Sequence, residues 1–237
     1  MNTELESFAY VSSHDLQEPL RKIQTFATRI LEREQQNLSE NGKDYFQRMQ
    51  EAAKRMQVLI DDLLAYSRAT TRERKFEKTD LNAIVMQVKN ELKEDIEQKQ
   101  AIIEAEELCE ADIIPFQFRQ LLHNLVGNAL KFSKPGIPPH IVLRSEVVSG
   151  GQLGIVAPSS PEQFCHISVA DNGIGFDPKY AERIFEVFQR LHGREEYKGT
   201  GIGLAIVKKI VENHNGTITA TGQLNKGATF DIYLPAR

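Results

Sequence analysis

The sequence predicts an α+β chain: a helical hairpin at the N-terminus, followed by a mixed α/β domain. Three observations carry this. Apolar residues recur at helical spacing from residue 3 to about residue 69. A charged stretch at 68–80, nearly free of apolar residues, ends that pattern. Beyond it, helical segments interleave with strand-like alternation. The division gives domains at 1–70 and 71–237.

In the first helix Leu5, Phe8, Val11, Leu16, Leu20, Ile23, Ala27 and Ile30 fall at spacings of three to five, on one face. Phe46, Met49, Ala53, Met56, Leu59/Ile60, Leu63 and Tyr66 repeat the pattern in a second helix. Between them QQNLSENGKD (35–44) offers Ser39 as an N-cap, although Gly42 weakens the following turn. Two helices alone bury little surface. Two hairpins would pair into a four-helix bundle, making a homodimer. Packing against the rest of the same chain would meet the same need.

RATTRERKFEKTD (68–80) reads as a linker, with Thr79 or Asp80 capping the next helix. Helices are predicted at 80–98, 115–133 and 201–214. Strands are predicted at 101–106, 140–148, 163–170, 216–222 and 227–234. SGGQLGIVAPSSPEQ (149–163) reads as an exposed loop.

An apolar content of 41%, a charged content of 26% and a net charge of −4 are ordinary for a globular chain and give no support to general nucleic-acid binding. No apolar run approaches the length of a membrane span, and no secretory leader is read. The expected location is cytoplasmic, with membrane attachment of a longer parent left open. Residues 1–10 already read as helix, as in a piece cut from a longer chain. Cys109 and Cys165 lack metal-ligand spacing; they fit a reducing compartment, with a disulfide the lesser alternative.

Three stretches carry chemistry. DNGIGFD (171–177) follows a strand and brings a carboxylate, an amide and two glycines to its end. KGTGIGLAIVKKI (198–210) opens a helix on a glycine-rich turn, where backbone amides suit an anion such as phosphate. Alone, G-x-G is a weak signal. In HNLVGNALKFS (123–133), Asn124 and Asn128 share a helix face, with Lys131 on the same side. Amide oxygens suit Mg²⁺ that keeps waters and nucleotide phosphates, and a lysine neutralises phosphate as a point charge.

In order along the chain, Asn124 and Asn128, DNGIGFD, IFEVFQRL (184–191) and GTGIGLAI resemble the successive nucleotide-binding boxes of sensor histidine kinases. Their ATP-binding domain is of the Bergerat type, shared with gyrase-like and chaperone ATPases. SHDLQEPL (13–20) resembles the phosphoacceptor box of the same kinases, in the form common among phytochrome-like members. The resemblance covers nearly the whole chain. It implies a dimeric four-helix bundle followed by an α/β sandwich that binds ATP with Mg²⁺. Asp171 would accept a hydrogen bond from the adenine amine, with Gly173 and Gly175 beside the base. Gly199, Thr200, Gly201, Gly203 and Leu204 would close on the phosphates. Asn128 would hold the metal, with Asn124 beside it and Lys131 reaching a phosphate. The segment from Phe188 to Gly199 would be a lid, in which Arg190 and Lys198 are candidate phosphate contacts or solvated charges.

The same resemblance makes His14 the nucleophile and Asp15 its acid–base partner. A neutral imidazole can attack phosphorus while a carboxylate takes the other ring proton. Pro19, just beyond, removes a helical hydrogen bond and would bend or loosen the helix. A response-regulator receiver domain is the implied partner, and a sensor domain is implied beyond these residues. Two departures matter. Superfamily ATPases place a glutamate where Asn124 stands, so slow hydrolysis is expected. Many histidine kinases carry Thr or Asn where Glu18 stands, so weak phosphatase action is expected, unless Glu18 is merely a solvated helix residue. A silent ATP-binding module is the competing class.

Overall fold

The computed structural model describes residues 2–71, 75–150, 163–191, 197 and 199–236, with the side chains of 2–15 and 68–71 outside that description. Helix α1 (Asn2–Arg33) and helix α2 (Glu40–Thr71) form the hairpin. The α1 helix continues through Pro19. Ser39 does cap α2, its Oγ accepting the Gly42 amide at 3.1 Å. The seam between the helices buries Leu20, Ala27, Ala53, Ile60 and Leu64. Cross-helix hydrogen bonds from Gln17 to Asp61 (3.0 Å) and from Gln50 to Thr28 (2.8 Å) set the register. The apolar stripe is wider than the seam, so Leu16, Ile23, Phe26, Met49, Met56, Leu59 and Leu63 remain exposed.

The 68–80 linker is shorter than the sequence implied. Glu77–Asp80 forms strand β1, paired antiparallel with β3 (Glu110–Ile113), and neither strand was expected. Asp80 then caps α3 (Leu81–Glu91), accepting the Asn82 amide at 2.8 Å. The helix expected over 80–98 breaks at Leu92, and Lys93–Gln98 continues as α4. The remaining elements are β2 (Ile102–Ala105), α5 (Pro115–Lys131), β4 (His140–Ser149), β5 (Gln163–Asp171), α6 (Gly203–Asn213), β6 (Thr217–Gln223) and β7 (Gly227–Pro235). Most of the 149–163 loop lies outside the described residues.

The main sheet runs β2-β4-β5-β7-β6, parallel only between β2 and β4. Alternation along β5 sends Cys165, Ile167 and Val169 into the core with Leu121, Leu125, Ile206 and Ile210 from α5 and α6. The structure sets the sulfurs of Cys109 and Cys165 against each other as a disulfide pair, the lesser of the two alternatives read from the sequence. The fold brings them together because Cys109 is held against β4 by its amide, which donates to Ser145 Oγ at 2.8 Å. Cys165 stands on the adjacent strand, opposite Val147.

Two polar contacts, one of them buried, fix α5. His214, after α6, accepts the Ile114 amide on Nε2 at 2.9 Å, while Nδ1 faces the Ile210 carbonyl at 2.7 Å. That arrangement places the imidazole proton on Nδ1. At the other end, the Lys99 ammonium donates to Leu130 O at 2.6 Å and Ser133 Oγ at 3.1 Å. A cation there also meets the negative end of the helix dipole.

Candidate functional site

Helix α5 is apolar on the face made by Leu121, Leu122, Leu125, Val126 and Ala129, and this face is buried. Packing it turns Asn124, Asn128 and Lys131 toward a cavity of about 230 Å³. The Asn124 amide nitrogen donates to Gln120 O at 3.0 Å, and its Oδ1 lies against Gly203, where an added Cβ would stand 3.2 Å away. The Lys131 ammonium sits 4.4 Å above the Phe132 ring. Burial lowers its pKa, helped by the positive charge of Arg190.

Asp171 ends β5 and lines the same cavity. Its Oδ1 accepts the Gly173 amide at 2.8 Å and the Ala228 amide at 3.3 Å. Burial pushes the carboxyl's pKa up, against the pull of those two amides and of Lys134. Asn172 ties the turn to the loop before β4, accepting the His140 amide at 2.9 Å and donating to Pro138 O at 3.1 Å. Phe132, Phe176, Ile184, Leu204 and Phe230 form the apolar wall.

The glycine turn before α6 closes the cavity. Gly201 has φ +78°, and a Cβ there would lie 2.9 Å from Gln189 O, so both backbone and space ask for glycine. Arg190 braces this turn, its guanidinium donating to Gly199 O at 2.9 Å and Tyr197 O at 2.7 Å. Tyr197 in turn packs on Phe132, ring centres 5.0 Å apart.

Eleven of the residues singled out from the sequence thus line one cavity: Asn124, Asn128, Lys131, Asp171, Gly175, Arg190, Gly199, Thr200, Gly201, Gly203 and Leu204. Gly173 stands behind it, packed on the Phe132 carbonyl. His14 and Asp15 lie on α1 with side chains outside the described residues, and Lys198 is also outside them. Asp62, an α2 residue that lines the cavity and accepts the Thr200 hydroxyl, was not among the residues singled out from the sequence. An acidic residue in a polar helix row carries no such signal; only tertiary packing reveals it.

Residues 114–237 match the family of histidine kinase-, DNA gyrase B-, and HSP90-like ATPases, and residues 4–72 match the His Kinase A phospho-acceptor domain. The chain belongs to the sensor histidine kinases. Cyanobacterial phytochrome A of Nostoc sp. is 39% identical over 99% of the chain, and phytochrome-like protein Cph1 of Synechocystis sp. is 37% identical over 99%. This kinase core is of the phytochrome-like subgroup and spans 29% of the length of either relative. Sensor histidine kinase WalK of Bacillus subtilis is 27% identical, with 99% of this chain and 37% of that protein covered. Among solved structures, full-length ShkA in complex with AMPPNP superposes with a TM-score of 0.68 at 25% identity. That match covers 97% of this chain and 46% of that one. The kinase core is thus a helical hairpin followed by an α/β ATP-binding domain.

Proposed function

We propose that this kinase core transfers the γ-phosphoryl group of Mg·ATP to His14 and then to an aspartate on a response-regulator receiver domain. Residues 1–70 serve as the dimerisation and phosphotransfer domain, and residues 71–237 as the catalytic domain. The observation that carries this reading is the meeting of α5, the turn after β5 and the glycine turn before α6 around one cavity. Its lining includes the Asp171 carboxylate, the Lys131 ammonium, the glycine turn and the rings of Phe132, Phe176 and Phe230.

The donor set fits an adenine nucleotide. Both amides at Asp171 reach Oδ1, which leaves Oδ2 as an acceptor for an exocyclic amine. Guanine offers a carbonyl oxygen there, so two acceptors would face each other. Lys131, half-buried and short of water, is suited to a phosphate oxygen. Magnesium, where bound, would neutralise phosphate charge, with the Asn128 amide oxygen as its protein ligand. At His14 the imidazole forms the N–P bond as the bond to ADP breaks, and Asp15 holds the proton on the other ring nitrogen. Asn124 cannot act as a base toward water, so phosphate goes to the protein rather than to solvent. Glu18, paired with Lys22 at 2.7 Å, places no amide or hydroxyl to orient water against a phosphorylated receiver.

Pairing of two hairpins through Leu16, Ile23, Phe26, Met56 and Leu63 completes the four-helix bundle. Intact-mass measurement after incubation with Mg·ATP at neutral pH tests the proposal. The wild-type chain should gain one phosphoryl group and His14→Gln none; equal gain in both would refute it.

A further inference from the structure

Asp62 belongs to the hairpin, yet its carboxylate reaches the nucleotide cavity from α2. There it accepts the hydroxyl proton of Thr200, between Gly199 and Gly201. The same hydroxyl oxygen accepts the Ile202 amide at 3.3 Å. The contact joins segments 138 residues apart, and helix α2 packs on α6 around it. Burial raises the pKa of Asp62; the Thr200 bond offsets this in part, and the charge of Asp61 adds to it. Asp61, by contrast, is exposed and spends its Oδ1 inside the hairpin, on Gln17 at 3.0 Å and Gln57 at 3.1 Å. A partly buried carboxylate at a glycine turn offers anionic oxygens to the same donors that a phosphate would use.

We propose that Asp62 is an internal competitor for the nucleotide's phosphates: the docked hairpin lends a carboxylate to the glycine turn, and Mg·ATP must displace it. This inference rests on the nucleotide reading of the cavity. Two anions brought to one partly buried turn repel each other, and the repulsion grows as water is excluded. Among the described residues, Lys131 and Arg190 are the cations that line the cavity, and Arg190 already donates to two carbonyls. Displacement frees α2 from the catalytic domain. Coupling is reciprocal: the factor by which docking weakens ATP binding is the factor by which ATP weakens docking. The device links filling of the cavity to release of the hairpin that carries His14.

Calorimetric titration of the whole chain tests this, comparing wild type, Asp62→Asn and Asp61→Asn. Asp62→Asn keeps the shape and an acceptor for Thr200, and removes only the charge. It should bind Mg·ATP about 5- to 30-fold more tightly than wild type, within the usual span of such couplings. Asp61→Asn, which removes the same charge one residue away, should stay within about twofold, since exposed charges are screened. Adenosine, which lacks phosphates, should bind all three equally. Equal or weaker Mg·ATP binding by Asp62→Asn would overturn the inference, as would tightening by Asp61→Asn of the same size. Absence of Mg·ATP binding in all three would remove the nucleotide reading itself, and this inference with it.

Discussion

Gly173→Ala isolates the role of space behind the site. Gly173 has no positive φ, so no backbone preference is at stake. An added Cβ would stand 2.6 Å from the Phe132 carbonyl oxygen and 2.8 Å from Asp171 Oδ1. Ordinary contact begins at 3.4 Å, so the turn must back away by roughly 0.8 Å. The Phe132 oxygen also accepts the Ile174 amide at 2.9 Å, and such an opening takes that bond beyond hydrogen-bonding range. Overpacking costs about 1–3 kcal/mol and the lost hydrogen bond about 1 kcal/mol. The sum is roughly 2–4 kcal/mol, or a Tm lower by about 5–15 °C for a chain of this size. Asp171 moves as well, since it shares the collision and loses the Gly173 amide, so Mg·ATP affinity should fall by about tenfold or more. Urea unfolding followed by circular dichroism, with calorimetric titration of Mg·ATP, measures both. A variant within about 0.5 kcal/mol of wild type that binds ATP normally would show that the close approach read here is not a constraint.

Three further variants test the same geometry. Asp171→Asn puts an NH₂ group where Oδ2 would meet the adenine amine, so ATP affinity should drop about 10- to 150-fold by titration. Because burial raises this carboxyl above the ordinary range, the folded chain keeps the proton where the unfolded chain has lost it. Stability contributed by Asp171 therefore falls as pH rises from about 4 through the raised value, and at neutral pH unliganded Asp171→Asn should melt higher than wild type. A lower Tm would contradict the sign. His214→Phe strands the buried Ile114 amide, while the Ile210 carbonyl keeps the His214 backbone amide, and should cost about 1–3 kcal/mol in urea unfolding; a loss under about 0.5 kcal/mol would deny that imidazole its pinning role. Ile23→Glu places a charge on the exposed apolar face of α1 and should turn a sedimenting dimer into a monomer, whereas an unchanged dimer would point to another interface.

Much of the fold was legible because its signals are periodic. The two hairpin helices keep one apolar face for many turns, and β5 and β7 alternate cleanly. Capping by Ser39 and Asp80 was readable because each precedes an apolar-periodic run. Strands β1 and β3 escaped because each has only four residues, and their backbone pairing holds a segment whose composition reads as solvent-facing linker. The break at Leu92 has no Gly or Pro to mark it, and Leu92 itself is buried like any helix residue. In the site, Asn124, Asn128, Lys131, Asp171 and the glycine turn stood out because each cluster is compact in the chain. Phe176 and Phe230 read as plain core, and Arg190 proved to be a brace for backbone carbonyls, since its long side chain curls onto the turn that follows it. Asp62 was invisible for a different reason: its role exists only once the hairpin packs on α6.

The most direct test of the central claim is the chemistry of the bond formed. Purified chain is incubated with γ-labelled ATP and Mg²⁺, beside His14→Gln, and the labelled protein is treated with acid or alkali. Label that is lost in acid, survives alkali and is missing from His14→Gln is the predicted result, because an N–P bond behaves this way. Label that survives acid, or that persists in His14→Gln, would contradict the account.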